Sequence, residues 1–221
     1  MTASSDAPHR RALRTDAERN RTAVVDAARQ VFAEQGLDAP MAEVARRAGV
    51  GIATLFRRFP TRDDLITGVF AEKMNSYHDA VNEALRDPDP WHGFCEFIEH
   101  ACTMQYQDRG FTNVLTMTFP RAGAFEAKRS ATYRGFQSLI AKAKATGRLR
   151  PEFRPQDLVM LLMANAGVVT SAADAAPAAS RRLLSYLLAA CDTHHAHPIA
   201  PAPSARRMRD AMLKDDASEV R

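Results

Sequence analysis

Several things this sequence has little of narrow the fold before any motif is read. Its 221 residues include only 10 glycines, 3 cysteines and 7% aromatic residues. No Asn-Gly or Asp-Gly pair occurs, and no stretch sustains the apolar–polar alternation of half-buried strands, so nothing calls for a β-hairpin. Three cysteines at irregular spacing exclude a disulfide framework. On one helix Cys95 and Cys102 would lie about 10.5 Å apart, beyond the roughly 7 Å that a disulfide spans. Their expected role is packing, in a reducing compartment.

The first residues lack the apolar stretch of a signal peptide. The most apolar run, 158–169, is interrupted by Asn165 and is too short to cross a bilayer. A cytoplasmic protein with no membrane partner is expected. Phosphate-binding Walker loop, nucleophile elbow and zinc-protease helix are all missing. His194, His195 and His197 cluster at a helix end without the i, i+4 spacing of metal ligands. The sequence therefore points to no enzyme, no cofactor and no metal.

What the chain does have is Ala, Leu, Met and Arg, residues with high helix propensity. Thr15 and Glu18 have capping-box spacing, which predicts a helix from about Asp16, striped with Val24, Ala28, Val31 and Phe32 and ended by Gly36. Met41, Val44, Ala45 and Ala48 form a second apolar stripe, broken by Gly49. Ile52, Leu55, Phe56 and Phe59 form a third, broken by Pro60. Thr61 and Asp64 cap a long helix that carries Leu65, Val69, Phe70, Tyr77 and Val81 inward and stops before Pro88. Further helices are predicted over 90–107, 113–119, 122–146, 155–174 and 178–194, with breaks at 108–110, Pro120, 147–155 and Pro177. The reading is all-α. A disordered arm (1–13), made basic by Arg10 and Arg11 with Arg14 just after it, precedes a three-helix domain (14–62), a larger helical domain (63–195) and a flexible tail (196–221) in which 205–214 has some helical character.

Two short helices joined by a Gly-containing turn and braced on both sides make a helix-turn-helix. Between Pro40 and Arg62 stand Arg46, Arg47, Arg57, Arg58 and Arg62 against the single acid Glu43, a net of +4 that equals the excess of the whole protein. Such a cluster is the electrostatic footprint of a phosphate-binding surface. In a helix-turn-helix the second helix enters the major groove by its N-terminal end. Here that end is Gly51, Ile52, Ala53 and Thr54. Glycine at the N-cap lets a phosphate approach the helix-end N–H groups, Ile52 or Ala53 suits a thymine methyl, and the Thr54 hydroxyl suits a phosphate or base edge. Arg47, Arg57, Arg58 and Arg62 suit phosphate contacts, which position a protein without reading sequence.

The run AEVARRAGVGIATLFRRFPTRDDL, residues 42–65, resembles the signature of TetR-family repressors, and VVDAARQVFAEQG before it extends the similarity. Matched by position, the resemblance implies DNA contacts at Thr54, Phe56, Arg58 and Arg62 and a turn glycine at Gly49. Three places depart from the pattern. Pro40 and Met41 replace a Ser or Thr that opens the second helix, Gly51 replaces a Ser-like residue, and Phe56 keeps an aromatic ring without the Tyr hydroxyl. Each lost hydrogen bond is worth about 1 kcal/mol, with Arg57 and Arg58 available to offset it.

The resemblance also implies a C-terminal helical domain that binds a small molecule and forms a homodimer. Residues 158–169 are apolar on nearly every face, and the last helix carries more leucines than one buried face needs. A dimer interface of Leu158, Leu161, Leu162, Val169, Leu183, Leu184, Leu187 and Leu188 accounts for that excess; a deep monomer core is the alternative. An apolar or aromatic effector suits a pocket of soft Met and aromatic groups. The candidates are Met74, Tyr77, Trp91, Phe94, Ile98 and Met104, together with Phe111, Phe136 and Met163. His100 and Asn165 are the candidate polar groups. The leading expectation is thus a ligand-responsive repressor that binds palindromic double-stranded DNA as a dimer. A helical interaction protein that keeps the fold without sequence-specific DNA binding is the competing one.

Overall fold

The computed structural model describes residues 6–116, 123–195, 200–204, 206 and 207. Among them it forms nine α-helices: α1 (Asp6–Gln35), α2 (Met41–Arg47), α3 (Ile52–Arg58), α4 (Arg62–Arg86), α5 (Pro90–Gln107), α6 (Arg109–Thr116), α7 (Gly123–Ala145), α8 (Pro155–Ser171) and α9 (Ala176–Cys191). No strand is present among the described residues beyond one isolated bridge, Leu149 with Asp192. None of these helices is long and apolar enough to cross a membrane. The chain divides into two compact units, Met1–Phe70 and Ala71–Arg221.

In the first unit the predicted stripes turn inward except at Ile52 and Phe56 of α3, which are exposed, and at Met41 and Ala48, which are half-buried. Val24, Ala28, Val31 and Phe32 of α1, Val44 and Ala45 of α2, Leu55 of α3 and Leu65, Ile66, Val69 and Phe70 of α4 are buried. Phe32 and Phe70 stack with ring centroids 6.3 Å apart. Gly36, at φ 81°, and Gly49, at φ 67°, end α1 and α2 in the left-handed region that side chains disfavour. At Gly49 the N–H of Val50 reaches the Ala45 carbonyl at 3.0 Å while that of Gly49 reaches Arg46 at 3.2 Å. That Schellman pattern closes α2 in two residues, leaving just Val50 and Gly51 before α3. The expected capping box at α4 is present and reciprocal. Thr61 N–H donates to Asp64 Oδ2 at 3.0 Å, and the Asp64 N–H donates to Thr61 Oγ1 at 3.1 Å.

Two boundaries differ most from expectation, while α8 and α9 each end three residues early and Pro177 lies in the first turn of α9 rather than before it. α1 begins at Asp6, so residues 6–13 continue the helix rather than forming an unstructured arm, and the Thr15–Glu18 pair lies inside it. α6 begins at Arg109, four residues earlier than predicted. Asp108 supplies the reason: its Oδ1 accepts the Phe111 N–H at 3.1 Å, capping α6 one residue after α5 ends. The predicted helix over 205–214 lies outside the described residues apart from Arg206 and Arg207, which are helical, and so does the break at Pro120.

The second unit is built around α5, which packs against α6, α7, α8 and α9. Asp89 caps it by accepting the N–H groups of Trp91 and His92, and Pro90 fills the first helical position, where a missing N–H costs nothing. Tyr77, Phe97, Phe136, Phe94 and Phe153 run ring to ring, with centroid separations of 5.2–6.0 Å along the chain of contacts. The chain after α7 is tied to the end of α9. Arg150 N–H donates to the Cys191 carbonyl at 3.0 Å, and the Arg148 guanidinium meets Asp192 at 2.7 Å. The three cysteines are free. Burial pushes the Cys95 and Cys102 thiols up to about 12, as befits packing groups that stay protonated.

Candidate nucleic-acid interface

α3 is held in place by a single buried side chain of its own, Leu55, backed by Phe59 just beyond its end. The rest of the helix faces away from the core. Gly51, Ile52, Ala53, Phe56, Arg57 and Arg58 are exposed, and Thr54 is half-buried. Ile52 and Phe56 are one turn apart, 43% and 44% exposed, and form an apolar ridge on the outward face. Arg57 and Arg58 stand in the last turn, and neither is ion-paired among the described residues. Gly51 offers no side chain to cap α3, and Pro40 offers none to α2. A short helix that presents two large apolar groups and two free guanidiniums to solvent has the chemistry to meet methyl groups and phosphates together.

The other arginines are differently engaged. Arg46 bonds both oxygens of Glu43, at 2.8 and 2.7 Å. The guanidinium hydrogen bond holds the Glu43 carboxyl below its ordinary range. Arg47, expected at the DNA, donates to Glu34 of α1 at 2.7 Å and lies 3.5 Å from Glu43, so it braces α1 against α2. Arg62, also expected at the DNA, is turned inward. Its Nη1 donates to the carbonyls of Leu37 at 2.7 Å and Ala39 at 2.6 Å, clamping the α1–α2 turn to the start of α4. Sequence showed these charges but not the acids and carbonyls brought to them from α1 and the turn after it.

Arg62→Ala removes two charge-assisted hydrogen bonds and should lower the stability of the first unit by about 2–3 kcal/mol. It should leave the salt dependence of DNA binding by the remaining folded protein unchanged. Urea unfolding and a salt titration on the same variant check both halves. A lower salt slope at unchanged stability would return Arg62 to the DNA.

The residues expected to line an effector pocket are placed as follows. Met74, Tyr77, Trp91, Phe94, Ile98, Met104, Phe111, Phe136 and Asn165 are buried, Met163 is half-buried, and Phe94 stacks between Trp91 and Phe136. His100 is set apart from them. It lines an open cleft of about 420 Å³ with Glu72, Asn75, Ser76, Asp79, Ala80 and Glu83, its Nε2 lying 3.4 Å from Ser76 Oγ. Three carboxylates make that cleft acidic, so His100 does not belong to an apolar pocket. Burial lowers its basicity and favours the neutral ring. Sequence reasoning missed Gln105, wholly buried, whose side chain bonds Asn165 across α5 and α8 at 2.7 Å. A polar residue on the apolar face of α5 was the available signal. Among the described residues no group of three His, Cys, Asp or Glu side chains can hold a metal ion.

The residues expected at a dimer interface divide between the core and the margin of the single chain. Leu158, Leu161, Leu162, Val169 and Leu184 are buried within a single chain, packed where α8 and α9 meet each other and α5. Each keeps at most 7% of its surface. Leu183, Leu187 and Leu188 are half-buried at the margin. The outward face of α8 carries Met160, Ala164, Gly167 and Ser171, and that of α9 carries Ala178, Arg182, Ser185, Tyr186 and Ala189. Met160 and Tyr186 are 40% and 61% exposed.

Comparison with known proteins adds the following. Residues 24–69 match the family model described as bacterial regulatory proteins, tetR family, and residues 89–189 match the model described as transcriptional regulator SbtR-like, C-terminal domain. The HTH-type transcriptional repressor LfrR of Mycolicibacterium smegmatis is 37% identical over 76 residues, 34% of this chain and 38% of that protein. The fatty acid metabolism regulator protein of Bacillus subtilis is 29% identical over 65 residues, 29% of this chain and 34% of that one. The chain thus spans little more than a third of the length of the curated relatives it matches. The crystal structure of a putative tetR family transcription regulator from Shewanella sp. PV-4 aligns with a TM-score of 0.56 at 20% identity, covering 78% of this chain and 97% of that one. At that identity the likeness speaks for the fold.

Proposed function

We infer from this chain's place in the TetR family of bacterial regulatory proteins, to which it belongs by both its N-terminal and its C-terminal match, that it is a dimeric DNA-binding transcription regulator. The observation that carries this is the outward face of α3, where Ile52 and Phe56 stand beside Arg57 and Arg58, neither ion-paired among the described residues. In the groove, Ile52, Ala53 and Phe56 would read thymine methyls while Arg57 and Arg58 hold phosphates. Two copies related by a two-fold axis would place two α3 helices on half-sites about one DNA turn apart, which calls for a near-palindromic operator.

The dimer surface in this reading is the outward face of α8 and α9. Small residues at Ala164 and Gly167 permit close helix approach, and Met160 and Tyr186 supply apolar area. An effector that favours one spacing of the two α3 helices would shift the population away from DNA, making the protein a ligand-responsive repressor. A regulator of this kind works as a binding protein, without catalysis.

Two measurements test the proposal. Sedimentation at micromolar concentration should give a dimer, and Met160→Glu with Tyr186→Glu should shift it towards monomer. Selection from random duplexes should return a near-palindrome whose affinity falls steeply with salt. A wild-type monomer, or no DNA binding at low salt, would overturn it. The second result would leave a helical interaction protein as the better description.

A further inference from the structure

Inside the second unit a buried amide oxygen is left without a hydrogen-bond partner among the described residues. Asn165, on α8, is 1% exposed. Its Nδ2 donates to Gln105 Oε1 at 2.7 Å and lies 3.4 Å from the Cys102 carbonyl. Gln105, on α5, in turn donates Nε2 to the Leu162 carbonyl at 3.0 Å. These acceptors fix both amides. Turning Asn165 over would set its oxygen against two acceptors, and turning Gln105 over as well would set Oε1 against the Leu162 carbonyl. With that orientation forced, Asn165 Oδ1 finds no hydrogen-bond partner among the described residues.

A buried carbonyl without a donor is costly, and native proteins retain few of them. This one lies where α5, α6 and α8 pack together, in surroundings otherwise dominated by apolar residues: Cys102, Phe111, Leu161 and Leu162 are all buried on these three helices. The Thr112 hydroxyl on α6 donates to the Gln105 carbonyl at 2.9 Å, so α6 is bonded to the same turn of α5. An apolar molecule wedged between these helices would complete the network if it brought one O–H or N–H.

We propose that Asn165 Oδ1, presented by the Gln105–Asn165 pair, anchors the effector and selects an apolar or aromatic molecule that carries a hydrogen-bond donor. The proposal rests on the effector-responsive reading above and specifies its chemistry. Gln105 holds the anchor rather than contacting the guest, because both ends of its amide are already engaged.

The test uses the full-length protein and two probes of nearly equal size and shape, indole and indene, which differ by an N–H in place of a CH2. Melting temperature against probe concentration gives the affinities, and the Asn165 side-chain amide resonance reports the contact. Indole is expected to bind at least about fivefold more tightly than indene and to shift that resonance. Gln105→Leu with Asn165→Leu removes both amides together, so no lone partner is stranded and the fold should survive. It is expected to bind the two probes alike. Equal binding by the wild type, no binding of either probe, or a preference for indole that survives the double substitution would overturn the anchor. So would an ordered water on Oδ1 that indole does not displace. Salt-dependent DNA binding by the same preparation separates the two failures. If it persists, only the anchor is wrong; if it is absent, the regulator reading has failed.

Discussion

Replacing Arg57 and Arg58 together by alanine should weaken duplex binding by roughly a hundredfold at moderate salt and reduce the slope of log affinity against log salt by about 2. The expectation rests on how little the protein itself uses them. Both are exposed in the last turn of α3, and neither is ion-paired among the described residues. Their folded-state role is limited to complementing the C-terminal end of the α3 dipole, worth a few tenths of a kcal/mol. Stability should therefore change by no more than about 0.5 kcal/mol. Arg46→Ala is the informative contrast. Its charge is already shared with Glu43 through two short hydrogen bonds, so its loss should lower affinity less. Fluorescence anisotropy across a salt series, with thermal melting of each variant, measures both quantities. An unchanged slope in the double variant would mean that α3 does not face the phosphates.

The apolar ridge beside these arginines has a different signature. Phosphate contacts are indifferent to sequence, whereas methyl contacts are not. Loss of Ile52 or Phe56 should therefore flatten the difference between operator and random DNA while leaving the salt slope as it was. The division of labour along one seven-residue helix can be read from these two observables alone.

Helix identity was legible in the sequence wherever the signal was local. Thr61 and Asp64 mark the start of α4, and Gly36 and Gly49 sit where the backbone needs positive φ. The misplaced boundary at α6 is also local in origin. Asp108 acts as a cap, a use of the side chain that the neighbouring Gly110 obscured.

The larger departures come from partners distant in sequence. Arginine type and clustering were plain, but nothing in the sequence tells Arg62, clamped on two carbonyls from the α1–α2 turn, from Arg58, which has no such clamp. A count of leucines likewise shows that α8 and α9 bury more than one face without saying against what. Leu161, Leu162 and Leu184 are consumed by the chain's own core, and the outward stripe of small residues on α8 gave no hydrophobic signal at all. Gln105 escaped notice for the converse reason. A single glutamine in an apolar helix face reads as solvated until its partner Asn165, 60 positions away, is placed beside it.

Gly93→Ala should be the most damaging single methyl added to the second unit. Gly93 is buried in the first turns of α5, and a Cβ there would lie 2.5 Å from the Ala84 carbonyl oxygen and 3.0 Å from Asp87 Cβ. The obstacle is chiefly backbone at the end of α4, which no side-chain rotation can clear. α5 would have to shift, loosening the Trp91–Phe94 stack and the contacts of Phe94 with Phe136 and Phe153. Alanine gains up to about 1 kcal/mol over glycine in helix propensity, but overpacking against fixed atoms costs about 3 kcal/mol or more. A net loss near 2–3 kcal/mol should lower the melting temperature by roughly 5–10 °C. The single tryptophan, Trp91, stands two residues away and reports this unfolding directly by fluorescence. Gly68→Ala makes the comparison, since its Cβ would meet the edge of the Phe59 ring at 2.7 Å. A ring on a rotatable bond can yield where a carbonyl oxygen cannot, so that loss should be nearer 1 kcal/mol. It should leave the Trp91 transition where it is. Equal losses at the two glycines would mean that the α4–α5 junction is softer than its packing indicates.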